Sequence, residues 1–279
     1  MYYFFNEFYF CSKKLRATII KNIENQKVKA SFLYLIKKKT ESFTETLFAT
    51  LFDKSVDVNE YMNILELEFK SLADLVCKKE FDPCRNRWTE YMDKLPKVLE
   101  DLNKDAKFIL ENDPAAATLE EVYLAYPGFY AIAIYRLSHL LTEFELPLVP
   151  RLMTESAHSK TGTDINPKAK IGVPFFIDHA TGVVIGETTV IKNNVKIYQG
   201  VTLGALLVDK SMQHIKRHPT IKDNVTIYAN ATILGGDTEI GENSVIGGNV
   251  WLTKSVPKNS IVSYQSSVKI QEKNKTYVR

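Results

Sequence analysis

Six side chains of types that move protons or bind charged groups stand where chemistry is worth weighing: Asp113, Asp164, Asp178, His179, Arg217 and His218. Asp178 and His179 stand in 175–188, FFIDHATGVVIGET, where they interrupt an otherwise aliphatic run. Charged groups are costly to bury unless paired and hydrogen-bonded, so this pair either turns outward to water or is held in place to move a proton. Histidine titrates near neutral pH and is the usual general base, yet a single histidine in a turn is often only structural. Asp113, in NDPAAA, precedes Pro114 and reads as a helix N-cap with proline at the first helical position. Asp164, before the first strand, reads equally well as a turn residue. His139 lies in the helical run IYRLSHLL, where packing explains it, while His158 and His214 read as solvated.

The elements that must position these groups fall into two halves. Up to about residue 150 the apolar period is helical. Tyr61, Ile64, Leu65, Leu72, Leu75 and Val76 mark one helix face. Leu95, Val98, Leu99 and Leu102 mark a second, and Val122, Ala125, Phe129, Ile132 and Tyr135 a third. Prolines in 146–150 make a boundary there. Three parts are expected: a helical region 1–150, a repeat region 160–262 and a tail 263–279.

After residue 160 the period becomes six. Ile165, Ile171 and Ile177 are followed, after a two-residue insertion, by Ile185, Ile191, Ile197 and Leu203. Ile221, Ile227 and Ile233 resume the pattern, and Ile240, Ile246 and Leu252 continue it after a one-residue slip. Small or β-branched residues stand two positions before most of these. A hexapeptide β-helix repeats this way: each unit is one short strand and one turn, and stacked coils bury the aliphatic residue that no single coil can bury. The fold class expected is α+β, an all-helical N-terminal part followed by a parallel β-helix. The stretch 206–216, LLVDKSMQHIK, breaks the repeat and must leave the prism as a loop, a common place for function on a rigid scaffold.

DINPKAKIG at 164–172, DHATGVVIGET at 178–188, QGVTLGA at 199–205, KRHPTI at 216–221 and ATILGG at 231–236 together resemble serine O-acetyltransferase, of the hexapeptide-repeat acyltransferases. The resemblance covers roughly 105–262 and includes NDPAA followed by PGFYAIAIYRLSHLL. It implies a left-handed β-helix and direct transfer of acetyl from acetyl-CoA to the hydroxyl of L-serine in cysteine biosynthesis. It makes His179 the base that takes the hydroxyl proton, with Asp164 the carboxylate that orients the imidazole. Asp113 and Asp178 match acids near the substrate amine. Arg217 suits the substrate carboxylate through its forked donors, and His218 matches a second active-site histidine. Gly204, Ala205, Ala229 and Gly248 match positions lining the CoA groove, and Lys254 is placed to meet a CoA phosphate. Small residues also serve tight turns in such coils.

The resemblance further implies an active site between two prisms, hence a homotrimer or a dimer of trimers, and feedback inhibition by L-cysteine. Asn166 departs from the family's usual histidine, and the loop 206–216 lacks the family's glycine-rich run. The sequence ends at Arg279, where many relatives carry an isoleucine that docks into cysteine synthase. No stable complex with cysteine synthase is expected, and comigration of the two proteins on a sizing column contradicts that.

The 36 basic and 33 acidic residues give a formal net charge of +3, too mild to point to nucleic acid. No stretch reaches the ~18 uncharged apolar residues of a membrane helix, so no membrane partner is expected. The aromatic opening MYYFFNEFYF reads as a segment that packs on the body or on another subunit. Cys11, Cys77 and Cys84 show no metal-ligand spacing, and reduced thiols in a cytoplasmic protein are expected, with no metal. Two other readings share the repeat: an acetyltransferase for a sugar or other small alcohol, and a non-catalytic scaffold. Acetyl-CoA turnover with L-serine against a panel of sugars separates the first from serine transfer, and the presence of both His179 and Asp164 speaks against the second.

Overall fold

The computed structural model describes residues 15–27, 33–77, 87–144, 146–207 and 214–265. The aromatic opening, the middle of the loop 206–216 and the end of the tail lie outside them, as do Cys11 and Cys84. Among the described residues, seven helices precede the strands: α1 (15–26), then α2 (Leu33–Phe52), α3 (Val58–Val76), α4 (Arg87–Asn112), α5 (Leu119–Ala125), α6 (Pro127–Thr142) and α7 (Val149–Thr161). The Asp57 carboxylate caps α3 by accepting from the N–H groups of Asn59 and Glu60. The Thr118 hydroxyl caps α5 by accepting from the Glu121 N–H.

Two helical faces differ from the periodic reading. In α3 the buried residues are Leu65, Phe69, Leu72 and Ala73, and Ile64 is exposed. The face expected to run from Val122 to Tyr135 is split, because Pro127 has no N–H with which to continue α5 and instead opens α6. Ala125 is consequently exposed, whereas Val122, Phe129, Ile132 and Tyr135 are buried. The break expected at 146–150 falls between α6 and α7, and α7 then ends at the left-handed cap Gly162, just ahead of the first strand. Cys77 is disulfide-bonded, which corrects the expectation of reduced thiols.

The repeat region is a parallel solenoid of about five coils with three faces. The first face carries β1 (Asp164–Ile165), β4 (Val184–Ile185), β7 (Thr202–Gly204), β10 (Thr232–Leu234) and β13 (Trp251–Leu252). The second carries β2 (Lys170–Ile171), β5 (Val190–Ile191), β8 (Thr220–Ile221) and β11 (Glu239–Ile240). The third carries β3 (Phe175–Ile177), β6 (Val195–Ile197), β9 (Thr226–Ile227), β12 (Val245–Ile246) and β14 (Ile261–Val262). Register explains the period of six. Ile165, Ile185, Leu203, Ile233 and Leu252 pair in one column. Ile171, Ile191, Ile221 and Ile240 form the second, and Ile177, Ile197, Ile227, Ile246 and Val262 the third. Each column is a ladder of aliphatic side chains on the axis, so a coil's hydrophobic residue is covered by the coils above and below.

The helices share this core. Phe129, Ile132 and Tyr135 of α6 belong to the same buried cluster as Phe175, Ile177 and the axial ladder. Arg136 donates to both oxygens of buried Asp105 at 2.5 and 2.9 Å and to the carbonyls of Ile171 and Gly172. Asp105 in turn accepts the Phe175 N–H at 2.8 Å. A β-carbon on Gly128 would lie 2.1 Å from the Ile177 carbonyl oxygen, so glycine is what lets α6 approach β3 this closely. These ties fix the end of α4, and with it Asp113, over the first coils.

Candidate active site

The chain passes from the third face to the first at one corner of the prism, and there Asp178 follows β3 as Tyr198 follows β6 and Tyr228 follows β9. The Asp178 N–H donates to the Ile197 carbonyl (2.8 Å), Tyr198 to Ile227 (3.0 Å) and Tyr228 to Ile246 (2.8 Å). The Tyr198 and Tyr228 rings stack with centroids 4.9 Å apart. In the first of these coils the two-residue insertion forms a bulge. Ala180 donates its N–H to the Asp178 carbonyl and Thr181 to that of His179, both at 2.7 Å. These successive three-residue turns hold His179 at φ 56 and Ala180 at φ 63. Left-handed backbone at non-glycine residues costs on the order of 1–3 kcal/mol and persists only where the surroundings impose it. Here Ala180 is buried and its carbonyl accepts from the Thr163 hydroxyl at 2.8 Å. The strain turns the His179 ring outward, where its side chain is 69% exposed, with Nε2 3.6 Å from Asp178 Oδ2.

Asp113 faces the same corner, and its local structure differs from the expected N-cap. Residues 114–117 are not helical, and Oδ1 closes a turn by accepting the Ala115 N–H at 2.8 Å. Oδ2 accepts from the Tyr126 hydroxyl at 2.8 Å. Burial and the bond to Asp113 push that hydroxyl up to about 12. Asp178 is raised above the ordinary carboxylate value, first by burial and then by the charge of Asp113, against the pull of His179. A partly buried carboxylate raised by a second acid beside an open corner is the kind of environment that suits a cation.

Asp164 is not joined to His179. Its carboxylate accepts from Arg151 Nη1 at 3.1 Å, and Arg151 also pairs with Glu155 through Nη2. The acid in contact with the imidazole is therefore Asp178. Glu155, His158 and Asp164 offer ligand atoms within 4.8 Å of one another, but the Arg151 cation already sits on two of the three. His158 is half-buried on α7 rather than in a solvated link, and His139 is a packing residue, stacked on Tyr135 with Nδ1 2.6 Å from the Pro167 carbonyl.

Arg217 and His218 lie at a different corner, between the first and second faces, where the loop 206–216 rejoins the prism ahead of β8. Arg217 Nη2 donates to Glu187, which also accepts from Lys168 Nζ at 3.0 Å. Burial would raise the Glu187 carboxyl, but the bonds from Arg217 and Lys168 hold it below its usual value. The buried His218 ring is held by Thr188. Lys216 Nζ donates to the carbonyls of Thr188 (3.0 Å) and His218 (2.5 Å), and burial lowers its pKa. A cavity of about 400 Å³ opens beside these groups, lined by Lys168, Lys170, Glu187, Thr188, His214 and Lys216 among others.

The residues matched to the CoA groove divide in the same way. Gly204 ends β7, with Ala205 after it, and exposed Lys254 follows β13, so all three stand at the Arg217 corner. Ala229 and Gly248 stand at the His179 corner in consecutive coils, with the Asn249 N–H on the Ala229 carbonyl at 2.9 Å. The candidate residues thus fall into two groups: Asp113, Tyr126, Asp178 and His179 at one corner, and Glu187, Thr188, Arg217 and His218 at another. Tyr126, Arg151, Glu187 and Thr188 escaped the sequence reading. The Gly-Glu-Thr run closing FFIDHATGVVIGET was a visible signal for two of them.

No family model matches the chain. It is 50% identical over 174 residues to "Serine acetyltransferase, plasmid" of Synechococcus elongatus, an alignment covering 61% of this chain and 54% of that protein. The chain spans about half the length of the first curated relatives it matches. Its fold superposes on serine acetyltransferase isoform 3 from Entamoeba histolytica, solved in complex with cysteine, with a TM-score of 0.73, 32% identity and coverage of 83% of this chain and 84% of that one. It is also similar to a serine acetyltransferase of Neisseria gonorrhoeae solved in complex with serine, with a TM-score of 0.58, 27% identity and coverage of 82% and 95%.

Proposed function

The chain belongs to the serine acetyltransferases, and from that premise we propose that it transfers acetyl from acetyl-CoA to the hydroxyl of L-serine, giving O-acetyl-L-serine and CoA. The observation that carries this reading is the strained bulge that holds His179 outward beside the Asp113 and Asp178 carboxylates. A serine hydroxyl is a weak nucleophile at neutral pH. His179 accepts its proton as the oxygen attacks the thioester carbonyl; the C–S bond then breaks, and the imidazolium returns the proton to the departing thiolate. The substrate ammonium lies against Asp113 and Asp178, where a cation relieves the repulsion between them. Arg217 binds the carboxylate, and Glu187 keeps the guanidinium aimed. L-cysteine differs from serine by one atom and competes for the same groups. Asp164 supports the imidazole only on leaving Arg151.

The two half-sites cannot meet on one prism, since they occupy different corners of it. Two copies placed corner to corner bring His179 of one to Arg217 of the next, and three copies close the ring. Gly204, Ala205, Ala229, Gly248 and Lys254 then line one seam, where the small residues let CoA approach the backbone.

The test is thiol release from acetyl-CoA with L-serine, with sugars and without acceptor. L-serine should stimulate release, and His179→Ala should lower that rate at least about 100-fold, the usual size of general-base help. An unchanged rate in His179→Ala removes the base. Asp164→Asn, assayed beside it, should lower kcat, and an unaltered kcat takes Asp164 out of the mechanism.

A further inference from the structure

The contacts of the His218 ring decide which of its nitrogens carries the proton. Its Nδ1 lies 3.1 Å from the Thr188 backbone nitrogen, which can only donate, and 2.8 Å from Thr188 Oγ1. That hydroxyl oxygen already accepts the N–H groups of Arg217 at 2.9 Å and His218 at 3.1 Å. With both lone pairs engaged, the hydroxyl has only its hydrogen left, and it points at Nδ1. Nδ1 is therefore an acceptor from two donors and cannot carry the ring proton, which must sit on Nε2. Among the described residues nothing bonds to Nε2. The ring lies over Gly186, where a β-carbon would come within 2.0 Å of it. Gly186, Glu187 and Thr188 thus form one cradle: space for the ring, a partner for the arginine, and a lock for the histidine.

Resting on the function proposed above, we propose that Thr188 is a positioning residue that fixes His218 as the neutral Nε2–H tautomer, so that His218 serves the reaction as a hydrogen-bond donor to a ligand oxygen and not as a second base. The charged groups facing the ring agree with this. Burial, the Arg217 guanidinium and Lys216 lower its pKa to about 4, and Glu187 opposes them only in part.

The test reads the tautomer in the full-length protein, ¹⁵N-labelled at histidine, by long-range proton–nitrogen correlation at pH 7. Wild type should show Nδ1 of His218 at the shift of an unprotonated nitrogen and Nε2 at that of a protonated one. The reverse pattern, or an averaged one, overturns the proposal whatever the activity. Thr188→Val keeps the backbone donor but leaves two N–H groups without their acceptor. It should shift the Nδ1 resonance and raise KM for L-serine about tenfold with a smaller change in kcat, and Thr188→Ser should restore both. His218→Gln places an amide donor near the position of Nε2. Its kcat should fall no more than about tenfold, against 100-fold or more for His218→Leu; equal losses in the two mean that His218 acts as a base. Absence of serine-dependent thiol release in wild type would sink the function and leave the tautomer result standing.

Discussion

The charge of Asp113 opposes the ionisation of Asp178, yet the proposed site asks both to hold an ammonium. Asp178 is raised by burial and by Asp113, so in the empty site it keeps its proton to a higher pH than an unfolded chain would. The sign follows. The folded state binds the extra proton between the ordinary carboxylate value and the raised one, so stability is lost as pH rises through that window. Ligand binding runs the other way, because only the ionised acid attracts an ammonium. KM for L-serine should fall as pH rises through the Asp178 titration. Asp113→Asn should move that break to lower pH while raising KM throughout, and a break that stays in place means that the two acids do not interact. The six candidate residues were legible in the sequence, because aspartate, histidine and arginine interrupting an aliphatic repeat stand out against it. Their partners were not. Tyr126 reaches Asp113 across 13 positions and Thr188 reaches His218 across 30, and no local spacing encodes a contact made by winding through a coil. The bond from Arg151 to Asp164, 13 positions apart, was hidden in the same way.

At the scale of the coil, corners do different work. The corner between the second and third faces carries none of the residues assigned to chemistry. Asn194, Asn224, Asn243 and Asn259 occupy it with φ between 57 and 59. Asparagine tolerates the left-handed region better than other non-glycine residues. The Asn224 amide donates to Asn243 and the Asn243 amide to Asn259, each at 3.0 Å, so the turns are also tied vertically. Asn243→Ala and Asn243→Gly both remove these bonds, but only alanine forces a β-carbon into the left-handed turn. Alanine should cost about 1 kcal/mol more than glycine, read as the difference between their urea midpoints; equal stabilities would show that the conformation is not the constraint. The solenoid was legible because burial itself repeats at six, whatever the turns do. The helices were less so, since Pro127 divides a face that the apolar period draws as continuous.

At the scale of the whole molecule, the question is why the candidate residues sit at two different corners of one prism. The proposed ring of three prisms supplies an answer, because it would place each first corner against a neighbour's second one and leave no corner unmatched. In the proposed ring the His179 side chain, 69% exposed in a single copy, would be covered by the neighbour. This arrangement makes a sharp prediction about mixtures. His179→Ala and Arg217→Ala should each be nearly inactive alone, since every seam lacks either the base or the carboxylate clamp. When the two chains are co-expressed with different tags and the doubly tagged assemblies are isolated, some seams pair an intact His179 with an intact Arg217. Around a mixed ring of three that happens once, and with random assembly it happens at one seam in four. Activity should therefore return to about a quarter to a third of wild type. Mixed assemblies as inactive as their parents would mean that both half-sites work within one chain, and the three-fold ring would lose its reason.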